Sequence, residues 1–182
     1  VLDAAGDVPE VVDESIAGLE RIQEIVQGLL RFSRMPSGRI EVCDANAIVV
    51  EAARFASLDR GASVRLESRL AQRLPLIEAA PDQLVQVLLN LLLNAKQALK
   101  HQPDATIVAS TSAVADRVEI RIADNGPGIP EAIRSRIFDP FFTTRPPNEG
   151  TGLGLSIALD IVSRHGGTLE LEDAAVPGAC FV

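Results

Sequence analysis

PDQLVQVLLNLLLNAKQALK, residues 81–100, is apolar at nearly every position except Gln83, Gln86, Asn90, Asn94 and Gln97, with His101 just beyond its end. Those six are spaced three, four, four, three and four apart, so on a helix they form a single polar stripe. Pro81-Asp82 opens such a helix and Lys100 closes it. Most polar stripes are solvated faces, but those carry Lys, Glu or Arg. Asn is a poor helix former, and here it occurs twice, one turn apart. Two carboxamides offer neutral oxygens to a hard cation without adding negative charge beside phosphates. Both readings remain open on the stripe alone.

Upstream of this helix, Arg39 to Cys43 reads as a strand, Asp44 can cap a helix running to about Leu58, and Ala62 to Arg69 alternates like a second strand. Further upstream, about Glu10 to Arg34 carries Leu19, Ile22, Val26 and Leu29 at spacings of three and four, an amphipathic helix with a coiled-coil-like seam. Met35-Pro36-Ser37-Gly38 ends it, which divides the chain into residues 1–35 and a domain over 36–182.

Downstream, Ala105 to Thr111 and Arg117 to Ala123 read as strands. Asp124 to Gly152 is rich in Gly and Pro, and a loop of that length in a compact domain is usually functional. A helix from about Leu153 to Arg164 stops at Gly166-Gly167, and Thr168 to Glu172 and Ala179 to Val182 close the chain as strands. This order predicts a two-layer α/β sandwich, with a mixed, mostly antiparallel sheet and helices on one face.

The 182 residues are 47% apolar, enough for a sizeable core, and only 3% aromatic with no Trp or Tyr, so that core must be aliphatic. A net charge of -8 disfavours nucleic acid and anionic membrane, and any polyanion must be held by local groups in a pocket. No apolar run reaches the roughly 18 residues of a membrane span, and no secretory leader is visible at Val1, which reads as the start of an excised fragment. Cys43 and Cys180 lack the spacing of a zinc or redox motif and read as free thiols.

Two glycine-bearing stretches flank the long loop. Asp124-Asn125-Gly126-Pro127-Gly128-Ile129 follows a strand. It fits a hairpin turn, but its glycines also admit a flat ring, and an ionised Asp accepts a hydrogen bond from an exocyclic amine such as that of adenine. Gly150-Thr151-Gly152-Leu153-Gly154-Leu155-Ser156 leads straight into a helix, either as a flexible hinge or as an anion site of free amides. Neither a P-loop nor a Rossmann turn fits, because no Lys follows the glycines and their spacing differs.

Together these segments resemble the histidine-kinase branch of the Bergerat-fold ATPases along essentially the whole chain. NLLLNAKQAL resembles the N box of that family and DNGPGIP its first glycine box. FDPFFTTR, residues 138–145, is similar to its F box, and GTGLGLS to its second glycine box, with HGGTLELE and GACFV like its closing strands. The resemblance implies ATP and Mg2+ as ligands. In it Asn94 ligates the metal with Asn90 in support, and Asp124 binds the adenine amine. Gly126, Gly128 and Ile129 line the base, while Thr151, Gly152, Leu153, Gly154 and Leu155 face the phosphates. It makes about Pro130 to Glu149 a short ATP lid, as in nitrogen-regulatory kinases, with Phe141 and Phe142 packing as it closes. Where many members carry a basic residue, this chain has Gln97, and Arg145 of the lid is the candidate to supply the charge.

The resemblance also implies the rest of the reaction. The residue 10–34 helix resembles the second helix of a dimerisation hairpin whose first helix bears the phosphoacceptor histidine. No histidine precedes His101, so that acceptor is expected upstream of Val1, on the chain itself or on a homodimer partner. His101 and His165 sit at helix ends and read as capping or surface residues. Phosphate would then pass to an aspartate on a response-regulator receiver domain, in the cytoplasm, with no direct membrane contact by this segment. Rival readings are an ATP-hydrolysing clamp of the same fold, which needs a Glu where Asn90 stands, and a non-enzymatic ATP-sensing scaffold.

Overall fold

The computed structural model describes residues 38–58, 64–146, 150–172 and 178–182. The amphipathic segment from Glu10 to Arg34 and the boundary at residue 35 lie outside the described residues. Among those described, the chain runs β1 (Glu41–Cys43), α1 (Ala45–Leu58), β2 (Arg65–Arg69), β3 (Ile77–Ala79) and α2 (Pro81–Ala98). It continues through β4 (Thr106–Val114), β5 (Arg117–Asp124), α3 (Glu131–Arg134), α4 (Gly154–Arg164), β6 (Leu171–Glu172) and β7 (Cys180–Phe181). A five-stranded sheet has the order β2-β4-β5-β7-β6, and β1 pairs separately with β3. Only β2 and β4 are parallel; the other pairs are antiparallel, giving the mixed, mostly antiparallel sheet the sequence predicts.

The alternation of β4 assigns the faces. Ile107, Ala109 and Thr111 point to one side and are buried, and their partners Asp124, Ile122 and Ile120 on β5 share that side. Against it pack α1, through Ile48, Val49, Ala52 and Ala56, and α2, through Val85, Leu88, Leu92 and Ala95. α4 packs on α2, and the core is aliphatic apart from Phe181, which meets Phe138 edge-on with ring centres 6.4 Å apart. On the other face, Arg121 bridges Glu119 and Glu172 at the surface.

Polar groups under the helices are paired. Thr111, the one buried polar residue among those described, accepts from the Ala71 amide at 2.9 Å and donates to the Asn46 carboxamide at 2.7 Å. Asn46 in turn donates to the Ala71 carbonyl, tying α1, β4 and the residue 70–76 segment together. Asp44 caps α1 as expected, its carboxylate accepting from the Asn46 amide. Two elements depart from the sequence reading. β3 follows Pro75 and, among the described residues, pairs only with β1, and the four-residue α3 interrupts what reads as continuous loop. Cys43 and Cys180 are both free and half-buried.

Candidate nucleotide site

A cleft of about 810 Å³ opens between α2, the end of β5 and the start of α4. Five of the six stripe residues line it: Gln86, Asn90, Asn94, Gln97 and His101. The stripe is therefore the floor of a cavity rather than a solvated face. Lys96, on another side of the helix, instead donates to the Ala56 carbonyl of α1 at 2.9 Å.

At one end of the cleft stands Asp124, placed on the helix side of the sheet by its register with Ile107. Its Oδ1 accepts the amides of Gly126 at 2.8 Å and Ala179 at 3.3 Å. Both bonds fall on one oxygen, and Oδ2 has no bonded partner among the described residues. Burial pushes the carboxyl above its ordinary value, against the two amide bonds that draw it down. A half-buried carboxylate with one oxygen committed and one open is suited to accept a single hydrogen bond from an amine. Gly128 and Ile129 line the cleft beside it, while Gly126 is buried behind the carboxylate and does not.

Asn125 holds this corner together. Its Oδ1 accepts the Thr106 amide at 2.8 Å, its Nδ2 donates to the Asp104 carbonyl at 3.0 Å, and its backbone carbonyl accepts from Gln102. The loop after α2 is thus fastened to the glycine box.

At the other end, Thr151 to Leu155 line the cleft and lead into α4. The first-turn amides of a helix have no carbonyl of their own helix to bond, which makes this end a site for anions. A Cβ on Gly154 would lie 3.8 Å from Asn94 Nδ2 and 3.9 Å from Asn90 Cγ, so the turn faces both carboxamides at contact distance. Asn90 Nδ2 donates to the Gly154 carbonyl at 3.1 Å. Asn94 Oδ1 accepts from Arg145 Nη2 at 3.0 Å, so a cation already sits at that oxygen. The donor set of neutral amide oxygens fits magnesium, which keeps waters and substrate phosphates among its ligands.

The stretch expected to form a lid departs from the sequence reading at one residue. Phe142 lines the cleft and lies under the Arg136 guanidinium, 4.5 Å from its ring centre. Phe141, expected to pack alongside it, is 74% exposed, outside the cleft lining, and in the left-handed region at φ 66°. Its amide donates to the Gly152 carbonyl at 3.0 Å, and a Cβ on Gly152 would come within 2.4 Å of the Phe141 backbone. That close approach requires glycine at 152. His101 is exposed, whereas His165 is half-buried and bonded through both ring nitrogens. Asn125, His165 and Gly178 fall within stretches that the sequence reading singles out, but it gives none of them a task at the site, since each acts through partners distant in sequence.

Residues 79–182 match the family model described as histidine kinase-, DNA gyrase B- and HSP90-like ATPase. Sensor histidine kinase ZraS of Escherichia coli (strain K12) is 33% identical over 98% of this chain and 38% of its own length. Sensory histidine kinase/phosphatase NtrB of Rhizobium leguminosarum bv. phaseoli is 32% identical over 84% of this chain and 43% of its own. The chain thus spans about two-fifths of the length of these two curated relatives. Among solved structures, the catalytic domain of histidine kinase ThkA aligns with a TM-score of 0.68 at 29% identity, covering 79% of this chain and 92% of that one. ThkA in complex with response regulator protein TrrA aligns at 0.70 and 25% identity, over 99% of this chain and 51% of that one. With that family model matched over residues 79–182 and a fold that aligns with the ThkA catalytic domain, this chain belongs to the histidine kinase-, DNA gyrase B- and HSP90-like ATPase family, as an ATP-binding catalytic domain of the histidine-kinase kind.

Proposed function

We propose that this domain binds Mg-ATP in the cleft and directs its γ-phosphoryl group to a histidine on the hairpin placed upstream of Val1, for relay to a response-regulator aspartate. The observation that supports this best is the span of one cleft from the half-open Asp124 carboxylate to the first turn of α4, with Asn90 and Asn94 between. Adenine at Asp124 puts the triphosphate over the carboxamides and against the free amides.

Each residue then has a task of binding or orientation, which is most of what phosphoryl transfer asks of a protein. Asp124 fixes the base and Gly128 and Ile129 bound its plane. The amides of Gly154 and Leu155 hold phosphate oxygens, while that of Leu153 donates to Thr151 Oγ1 at 3.4 Å. Asn94 and Asn90 present oxygens to magnesium, which when bound neutralises phosphate charge. Arg145, already at Asn94, is near enough to turn to the phosphates and take the place of a basic residue at Gln97. Asn90, a carboxamide, cannot take a proton from water, which disfavours hydrolysis and leaves the γ-phosphorus for an imidazole nitrogen.

The test is radioactive labelling. With γ-labelled Mg-ATP, this chain alone should stay unlabelled. Adding the upstream two-helix hairpin as a separate chain should give acid-labile label on the hairpin. Label on this chain alone, removed by His101→Ala or His165→Ala, would overturn the placement of the acceptor. A chain that binds Mg-ATP yet never labels the hairpin would mark a nucleotide-sensing scaffold.

A further inference from the structure

His165 follows the last residue of α4, at its C-cap, and its ring reaches across to the start of α2. Nε2 lies 3.0 Å from the Ala80 amide nitrogen and Nδ1 lies 2.8 Å from the Ile161 carbonyl. A backbone amide can only donate and a carbonyl can only accept. The ring is therefore the neutral tautomer with its proton on Nδ1, Nε2 accepting from Ala80 and Nδ1 donating to Ile161. Ala80 is fully buried, at the end of the β1–β3 pairing and before the first turn of α2, so neither its strand partner nor its own helix takes that amide. The imidazole does.

A second rung joins the same two helices, from Asn90 Nδ2 to the Gly154 carbonyl at 3.1 Å. From Ala80 to Asn90 is ten positions along α2, about 15 Å of rise, and from Gly154 to His165 is eleven along α4, about 16 Å. The rungs thus close a ladder between two antiparallel helices, with matching lengths on both sides. One rung is beside the phosphate end of the cleft. The other is at the far end of both helices, away from it.

We propose that His165 is a positioning residue for the nucleotide site: it locks the register of α4 against α2, so that the first turn of α4 faces Asn90 and Asn94. This rests on the reading of that turn as the phosphate end of an ATP cleft. The ring touches no nucleotide. Without it, the buried Ala80 amide has no acceptor, α4 is held to α2 at the Asn90 rung and by apolar packing alone, and the free amides of its first turn lose their fixed distance from the carboxamides. Asp124 lies at the end of β5, outside this ladder, and keeps its two amide bonds.

The prediction is a split between ligands. His165→Leu fills the space without an acceptor and should weaken Mg-ATP binding about tenfold, with adenosine affinity within about twofold of the unsubstituted protein. His165→Gln, whose carboxamide oxygen can stand near the Nε2 position, should recover part of the loss. In the unsubstituted protein, long-range proton–nitrogen spectra should show Nδ1 protonated and Nε2 bare. Calorimetric titration of the 182-residue chain with Mg-ATP and, separately, adenosine measures the split, with thermal melts confirming that each variant is folded. If the unsubstituted chain does not bind Mg-ATP, the cleft assignment fails, and this proposal with it. If it binds but His165→Leu loses neither ligand, or loses both equally, the register role is overturned while the cleft assignment stands. Should the Leu variant not fold, the Gln variant and the tautomer decide: Gln with unequal loss and an Nδ1-protonated ring support the lock, and an Nε2-protonated ring contradicts it.

Discussion

Asp124→Asn is expected to lower ATP affinity between about tenfold and over a hundredfold while leaving the empty protein at least as stable. The carboxylate divides its work between two oxygens. Oδ1 accepts the Gly126 and Ala179 amides, and an Asn side chain can keep both bonds with its own oxygen. What then replaces Oδ2 is an NH2 group, a donor turned toward a donor, so the bond to the adenine amine is lost and a repulsive contact replaces it. Stability moves the other way because burial raises the pKa of this carboxyl above its unfolded value near 3.8. The folded protein then binds more protons than the unfolded chain between those two values, so the contribution of Asp124 to stability falls as pH rises through that window. At neutral pH the charge is a cost of holding the site ready, and the neutral Asn removes it. Calorimetric ATP titration beside thermal melts at pH 7 checks both halves; unchanged affinity, or a lower melting temperature with unchanged affinity, would show a purely structural carboxylate.

Gly178→Ala is expected to damage both fold and site, although this residue lies outside all four nucleotide-binding boxes. Gly178 has φ 138°, and a Cβ there would lie 1.9 Å from the Asp124 carbonyl oxygen and 3.3 Å from Asn125 Cα. Those neighbours are backbone and cannot swing aside, so β7 must move off β5. The contact it would break is the one that seats the carboxylate: the Asp124 amide donates to the Ala179 carbonyl at 2.9 Å, and the Ala179 amide bonds Asp124 Oδ1. Overpacking of this kind costs about 1–3 kcal/mol or more, visible as a fall of several degrees in Tm. ATP affinity should fall at least about tenfold in the fraction that remains folded. An alanine variant that melts and binds like the parent would mean that β7 does not position Asp124.

Much of the site was legible because its signals are local. A stripe of Gln and Asn at helical spacing on α2, continued by His101 just past its end, marks a polar groove within one short stretch of sequence, and five of its six members line the cleft. Glycines directly before a helix announce free amides without reference to anything distant. The alternation of β4 and β5 likewise gave the sheet its two faces. The parts that escaped depend on partners far along the chain. β3 is three residues that, among the described residues, pair with β1 some thirty-five positions earlier, and three residues carry no pattern long enough to read. The left-handed Phe141 follows from its amide bonding Gly152, and nothing about a Phe in sequence foretells it. His165 looked like a helix end beside two glycines, which it is, but its second ring bond runs eighty-five positions back to Ala80. Gly178 reads as an ordinary turn glycine until the Asp124 backbone is seen against it.

The central claim is that one cleft holds adenine at Asp124 and phosphates with magnesium at Asn90, Asn94 and the start of α4. A titration of the nitrogen-15-labelled chain with Mg-ATP, repeated with ATP and EDTA, tests it most directly. The largest amide shifts should fall on Gly126 to Ile129 and Thr151 to Leu155, with the Asn94 side-chain NH2 moving only when magnesium is present, as Arg145 gives up the carboxamide oxygen it now holds. The outer face of the sheet around Glu119, Arg121 and Glu172 should stay still. Shifts centred on that outer face, or an Asn94 side chain indifferent to magnesium while ATP binds, would contradict the account.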